Sequence, residues 1–229
     1  MGRLVSVVIP IYNCQFPVKK ILGYVFDQSY KDVEVIIVDD GSNPPVSLPS
    51  EFGAKVRLIS QENMGAPAAR NRGAYQAKGD YIIFWDADIM PKKTFLQALV
   101  QALEDNLQAS YAYCNYYFGL KEMKAQKFNP EKLKENNYIH TSSLIRKKDL
   151  VSWDEDLYRL QDWDLWLTML EQRKVGVWVD QGLYYIVGRG TMSFWLPKFA
   201  YKKPWKFLPG IKKRVEDYEK AREIIFKKH

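Results

Sequence analysis

Four short runs near the start of the chain are apolar at almost every position: "LVSVVIP" (4–10), "VEVIIVDD" (33–40), "KVRLIS" (55–60) and "DYIIFWD" (80–86). Runs without polar alternation predict strands buried on both faces, the condition of central strands in a parallel sheet. Between the first two, residues 14–28 place Val18, Ile21, Leu22, Val25 and Phe26 at helical spacing, and residues 66–77 form a second helix-length stretch. Strands alternating with helices predict an α/β fold, a mostly parallel central sheet flanked by helices.

Further on, the pattern predicts a helix over 92–106, an aromatic strand "SYAYCNYYF" (110–118) and a charged loop with a short helix over 119–137. A strand and turn over 142–150 and a helix over 161–174 follow, with Leu165, Trp166, Met169 and Leu170 on its core side. "VGVWVD" and "GLYYIV" read as two closing strands. In open α/β sheets ligands gather at the carboxyl ends of the strands. There "PIYN", "DDGS" and "DAD" fall, three polar clusters converging on one rim.

Composition changes this picture in one respect. Residues 198–229 carry 11 basic against 4 acidic residues, whereas the preceding 197 carry 23 of each, so the whole net charge of +7 sits in the tail. The expected division is a body of residues 1–193, in halves 1–90 and 91–193, followed by a basic aromatic tail and C-terminal helix (194–229). The tail interleaves Trp, Tyr and Phe with lysines, which favours the headgroup zone of a membrane. Packing on the body or pairing with a second subunit are its other readings. No RNA- or DNA-reading motif accompanies it, so nucleic acid is not an expected partner. There is no run long enough to span a bilayer and no signal peptide pattern, which makes the cytoplasm, with peripheral contact at the inner membrane face, the expected location. The two cysteines have no metal or disulfide spacing.

Chemistry concentrates in "FWDADIM" (84–90), where Asp86 and Asp88 follow an apolar run. Alternation along a strand predicts that both point the same way. Paired carboxylates of this kind hold a hard divalent cation that draws its remaining ligands from a phosphorylated partner, or else they are solvated turn residues. No Walker phosphate loop accompanies them, and "GRGTMS" (188–193) lacks the third glycine of a dinucleotide fingerprint.

Taken in order, "VVIPIYN" (7–13), "VDDGS" (38–42), "NMGAPAARNRG" (63–73), "DAD" (86–88) and "QDWDLWL" (161–167) resemble the family 2 inverting glycosyltransferases of the GT-A fold. That resemblance implies a Rossmann-like GT-A domain, a nucleotide-sugar donor of the UDP-sugar type, Mn²⁺ or Mg²⁺ on its diphosphate, and a saccharide or lipid-linked acceptor. Cell-surface polysaccharide or glycolipid synthesis is the setting it suggests. By position it places Pro10, Tyr12 and Asp39 at the nucleobase and ribose, with Asp40 as either a ligand or a loop brace. Gly65 would let the backbone approach the nucleotide, and Arg70 would lie beside the donor or pair with Asp39 or Asp40. Asp88 would bind the metal, Asp86 the metal or the ribose, and Asp162 would be the base.

Two departures from the family pattern stand out. Gln161 replaces the acidic residue usually found before the base, and Gly188 stands where many members carry a metal- or diphosphate-binding His, leaving Arg189 as a substitute for the diphosphate. They motivate a second reading, a catalytically decayed scaffold or binding protein attached to a membrane or partner through its tail. Trp163 and Trp166 read either as walls for an acceptor sugar or as core, and His140 as a surface or satisfied histidine.

Overall fold

β1 (Val5–Ile11) is flanked on one side by β2 (Val33–Asp40) and β3 (Val56–Gln61) and on the other by β4 (Tyr81–Phe84), all parallel, with Val5 opposite both Val33 and Tyr81. The computed structural model that shows this arrangement describes residues 2–187, 208 and 210–229. Successive residues of β1 and β4 enter different layers. Val7, Ile9, Tyr81 and Ile83 pack with α1 (Val18–Phe26) and α3 (Phe95–Asp105). Val8, Ile82 and Phe84 pack with α2 (Ala66–Gln76), α5 (Gln161–Glu171) and α6 (Lys212–Lys228). Burial on both faces is why these runs carry no polar alternation.

Beyond β4 the sheet becomes mixed. β8 (Leu144–Arg146) runs antiparallel to β4 and to β6 (Tyr111–Phe118), β6 runs parallel to β9 (Gly176–Ile186), and β5 (Ile89–Pro91) closes the far edge antiparallel to β9. β7 (Lys121–Met123) forms a hairpin with β6, giving nine strands among the described residues. α4 (Pro130–Glu135) is the short helix expected in the charged loop, capped by the Asn129 side chain.

Three elements differ from the expectation. The first helix begins at Val18 rather than at residue 14, because Pro17 stands before it in an extended conformation. The two closing strands are one, β9, whose pairing with β6 shifts register between Cys114 and Tyr116. Gly182 lies within that irregularity, opposite Asn115, and a β-carbon there would meet the Tyr117 ring at 2.3 Å. Third, the β6–β7 hairpin falls within what reads as loop.

α6 is the tail helix expected from the sequence, and it packs on the body. Val215, Ala221 and Ile225 are buried, and the Phe226 ring meets Trp163 of α5 edge to face, 5.5 Å between centroids. Its solvent face mixes Lys212, Lys213, Lys220 and Lys227 with Glu216, Glu219 and Glu223, so this helix presents no uniformly basic surface. The aromatic stretch before it, with Gly188 and Arg189, lies outside the described residues. Ile225 is wholly buried. Ile225→Ala should therefore lower the unfolding free energy by about 2–5 kcal/mol in chemical denaturation, as deletion of a core aliphatic side chain does.

Candidate active site

The carboxyl rim of the parallel strands is tied together by short polar contacts. Asn13, in a left-handed conformation (φ 43°), receives the Asn43 N–H on its side-chain oxygen at 2.8 Å and donates its own N–H to Ser42 Oγ at 3.0 Å. The loop after β1 is thereby fastened to the loop after β2. Tyr12 stands exposed between them, and Pro10 is half-buried in β1 opposite Val38.

Asp39 is buried at the end of β2 and accepts the N–H groups of Ser42 and Val46, each at 2.9 Å. Burial pushes its carboxyl up, but the Ser42 hydroxyl and these two N–H groups outweigh it and hold the group below the ordinary range. It therefore remains a carboxylate with one bond already on each oxygen. Asp40 accepts from Gln61 Nε2 at 2.7 Å and from the N–H groups of Met64 and Gly65, each at 2.9 Å. It thus braces the entry to α2 rather than the "DDGS" loop that the sequence suggests for it. Gly65 has φ 92°, a region open to glycine and strained for other residues, while a β-carbon would meet only Pro67 at 3.7 Å. The glycine is required by backbone conformation rather than by crowding.

Arg70 projects from α2 to the tip of β4. The close seat of this helix depends on Gly73, where a β-carbon would meet Val8 at 2.3 Å. Arg70, almost wholly buried, pairs with neither Asp39 nor Asp40. It donates to Asp86 Oδ1 at 3.1 Å and to Gln161 Oε1 at 3.2 Å, and its guanidinium lies 4.6 Å from the Trp153 ring centre. Gln161 in turn donates to the Leu157 carbonyl at 2.8 Å. The substitution at 161 thus keeps a polar partner for Arg70 while leaving its whole charge to Asp86 and the cleft.

Asp86 and Asp88 do not owe their placement to strand alternation. β4 ends at Phe84, and residues 87–88 form a turn in which Ile89 N–H donates to the Asp86 carbonyl at 3.2 Å and Val187 N–H to that of Asp88 at 2.9 Å. Burial, and then the charge of Asp86, push the Asp88 carboxyl up, with His140 opposing. Two like charges brought together in a half-buried turn are the arrangement that a cation relieves. Among the described residues no three His, Cys, Asp or Glu form a cage. The donors present, Asp88 and the Asp86 oxygen not bonded to Arg70, fit a hard cation that takes its other ligands from phosphate and water.

Across the cleft, α5 carries Asp162 in its first turn. Asn137 Nδ2 donates to one carboxylate oxygen at 2.8 Å and the Trp163 N–H to the other at 3.0 Å. Burial pushes this carboxyl up, and Asp86 adds to the effect; His140, the Trp163 N–H and Arg70 oppose it without cancelling it. The helix start therefore does not turn Asp162 into a low-pKa cap. Asp164, two residues on, is a structural contrast. It is buried against α6, 2.6 Å from Lys228 Nζ and 3.0 Å from His229 Nε2.

Trp163 and Trp166 do not wall an acceptor site. Both are fully buried, and their indole N–H groups donate to the Leu133 and Ile139 carbonyls at 2.7 and 2.9 Å. They pin residues 133–139 over α5, which carries Asn137 to Asp162. His140 follows in the same loop, within electrostatic reach of both Asp88 and Asp162. Asn137 carries no signal as a site residue in the sequence, where His140 reads as a surface or satisfied histidine. The structure thus brings Arg70, Asp86, Asp88 and Asp162 into one charged cluster, with His140 beside it. Pro10, Tyr12, Asp39 and Gly65 lie on the β1 and β2 side of the rim, outside that network of contacts.

A parallel α/β block with carboxylates at its rim, joined to a mixed block that brings a further carboxylate to them, defines a GT-A fold. Solved structures agree. S. aureus TarS 1–349 in complex with UDP-GlcNAc superposes with a TM-score of 0.66 at 16% identity, covering 97% of this chain and 70% of that one. Mannosyltransferase PcManGT from Pyrobaculum calidifontis, in complex with GDP-Man and Mn²⁺, gives 0.64 at 16% identity, covering 99% and 72%. The chain belongs to glycosyl transferase family 2, whose model matches residues 6–155. Among curated relatives, the amylovoran biosynthesis glycosyltransferase AmsB of Erwinia amylovora is 34% identical over 185 residues, 70% of this chain and 62% of AmsB. The relatives are longer: the chain spans as little as 17% of glycosyltransferase GlyA of Streptococcus pneumoniae.

Proposed function

We propose that the chain moves a sugar from a nucleotide-sugar donor, of the UDP-sugar type, to an acceptor hydroxyl with inversion at the anomeric carbon. The observation that carries this reading is the half-buried Asp162, its carboxyl raised and oriented by Asn137, within electrostatic reach of the Asp86 and Asp88 turn. In the proposed reaction the acceptor oxygen attacks the anomeric carbon while the bond to the diphosphate breaks from the opposite face. The bonding pair leaves with the diphosphate, and Asp162 takes the hydroxyl proton.

On the donor side, Tyr12, Pro10 and the rim at Asp39 take the nucleoside, with Gly65 shaping the approach to it. Asp88, helped by Asp86, holds Mn²⁺ or Mg²⁺, which when bound stabilises charge on the leaving diphosphate as a Lewis acid. Arg70 holds Asp86 by its Oδ1, which leaves the other carboxylate oxygen for the ion. The UDP-GlcNAc bound to TarS and the GDP-Man and Mn²⁺ bound to PcManGT support a nucleotide sugar and a divalent ion. AmsB, through its name, supports polysaccharide building, with a saccharide or lipid-linked acceptor. Attachment to a membrane surface falls to the stretch before α6, in keeping with the mixed charge of α6 itself.

The retained partner of Arg70 at Gln161 favours an enzyme over a decayed scaffold. A panel of nucleotide sugars assayed for release of nucleoside diphosphate, with and without Mn²⁺, tests the proposal. Metal-dependent release from at least one donor is expected; none from any donor would sink it.

A further inference from the structure

His140 has a geometry that neither metal binding nor proton transfer accounts for. Its ring lies 5.0 Å from that of Tyr116 and 5.4 Å from that of Tyr184, and the two tyrosines are themselves stacked at 5.4 Å. Its Nδ1 accepts the Ser142 N–H at 3.2 Å, and Ser143 Oγ donates to its carbonyl at 2.7 Å. A ring nitrogen that accepts carries no proton, so the neutral imidazole keeps its proton on Nε2. That tautomer makes Nε2 a donor and leaves it no lone pair for a metal.

The loop that carries His140 also brings Asn137 to Asp162 at 2.8 Å, and the ring lies within electrostatic reach of Asp162 and of Asp88. If Asp88 marks the leaving diphosphate and Asp162 the attacking hydroxyl, an in-line displacement puts the transferred sugar between them. We propose that His140 is a sugar-binding residue: held against Tyr116 and Tyr184, with Nδ1 occupied by Ser142, it donates its Nε2–H to a hydroxyl of the sugar in transfer. The proposal rests on the nucleotide-sugar reading above and adds to it a specificity contact from the loop that also carries Asn137.

The test separates sugar from nucleotide. Calorimetric Kd values are measured with Mn²⁺ for UDP against UDP-GlcNAc and for GDP against GDP-Man, using wild type, His140→Phe, His140→Ala and His140→Gln. In whichever pair the wild type binds, the ratio of nucleotide-sugar Kd to nucleoside-diphosphate Kd should rise about two- to tenfold in the Phe and Ala variants, the worth of one neutral hydrogen bond. Gln, which keeps an N–H donor at similar reach, should restore much of it. The bare nucleoside diphosphate should bind all folded variants alike. An unchanged ratio, or equal weakening of both ligands, overturns the assignment to the sugar. A wild type that binds neither these pairs nor any other nucleotide sugar of the panel overturns the nucleotide-sugar reading itself, and this inference with it.

Discussion

Asp162→Asn should lower kcat by about 10²–10⁴-fold, the usual contribution of a positioned general base, while the donor Kd stays unchanged. The side chain keeps its size. The amide oxygen that replaces the carboxylate can still accept from Asn137 or from the Trp163 N–H, so the first turn of α5 stays in place. What is lost is only the ability to take a proton. The pH profile adds a second signature. Burial raises this carboxyl above the ordinary aspartate value, and the base works only when deprotonated. Wild-type activity should therefore fall as pH drops through a pKa higher than that of an exposed aspartate, and this acid limb should vanish from the residual activity of the variant. Steady-state kinetics across pH, with donor binding measured separately, checks both.

Asp88→Asn should have the opposite division of effects. With donor and ion at about a hundred times Kd, wild type should gain about 2.7 kcal/mol of stability from binding. For a chain of this length that is a rise of roughly 5–11 °C in the melting midpoint. The variant should show little of that rise with UDP and Mn²⁺. Without ligands it should be the more stable protein at neutral pH. The sign follows from a folded-state pKa raised above the unfolded value: the folded state loses stability as pH climbs from the unfolded pKa through the folded one, and the penalty is complete above both. Asparagine escapes it. Near pH 3, where both states are largely protonated, the advantage of the variant should disappear. Melting curves at both pH values, with and without ligand, decide the matter; a full ligand shift in Asp88→Asn would remove this residue from the metal site.

Both predictions concern residues that could be picked out before any coordinates. Asp88 stands out locally, as a carboxylate just past an apolar run's end, whereas Asp162 is singled out by the resemblance of "QDWDLWL" to the family's motif. β1 and β4 were legible for a related reason, since burial on both faces removes polar residues from a strand and leaves an unbroken apolar run. Where the reading failed, the cause was tertiary. Asp86 and Asp88 were assigned to strand alternation because nothing local shows that β4 stops at Phe84 and gives way to a turn. Arg70 reaches Asp86 and Gln161, the latter 91 residues away, because α2 sits close on β1 at Gly73. Trp163 and Trp166 spend their N–H groups on a loop some thirty residues earlier, and that loop delivers Asn137 and His140. Asp164 looks like a helix-start acid until α6 arrives with Lys228 and His229.

The structure also divides the tail. α6 is part of the body's packing, burying Ile225 and facing Trp163, whereas the lysine- and aromatic-rich stretch before it carries the charge that suits a lipid surface. The proposed membrane attachment and the stability of α5 thus belong to different segments. Changes in one should leave the other intact.

The central claim is single displacement by a hydroxyl that Asp162 deprotonates. It is tested most directly by proton NMR of the sugar first released from an α-linked nucleotide sugar, with water standing in for the acceptor. The account predicts that the β-anomer appears first and then mutarotates, and that Asp162→Asn slows its appearance about 10²–10⁴-fold. Release of the α-anomer first would contradict inversion and remove Asp162 from the role of base.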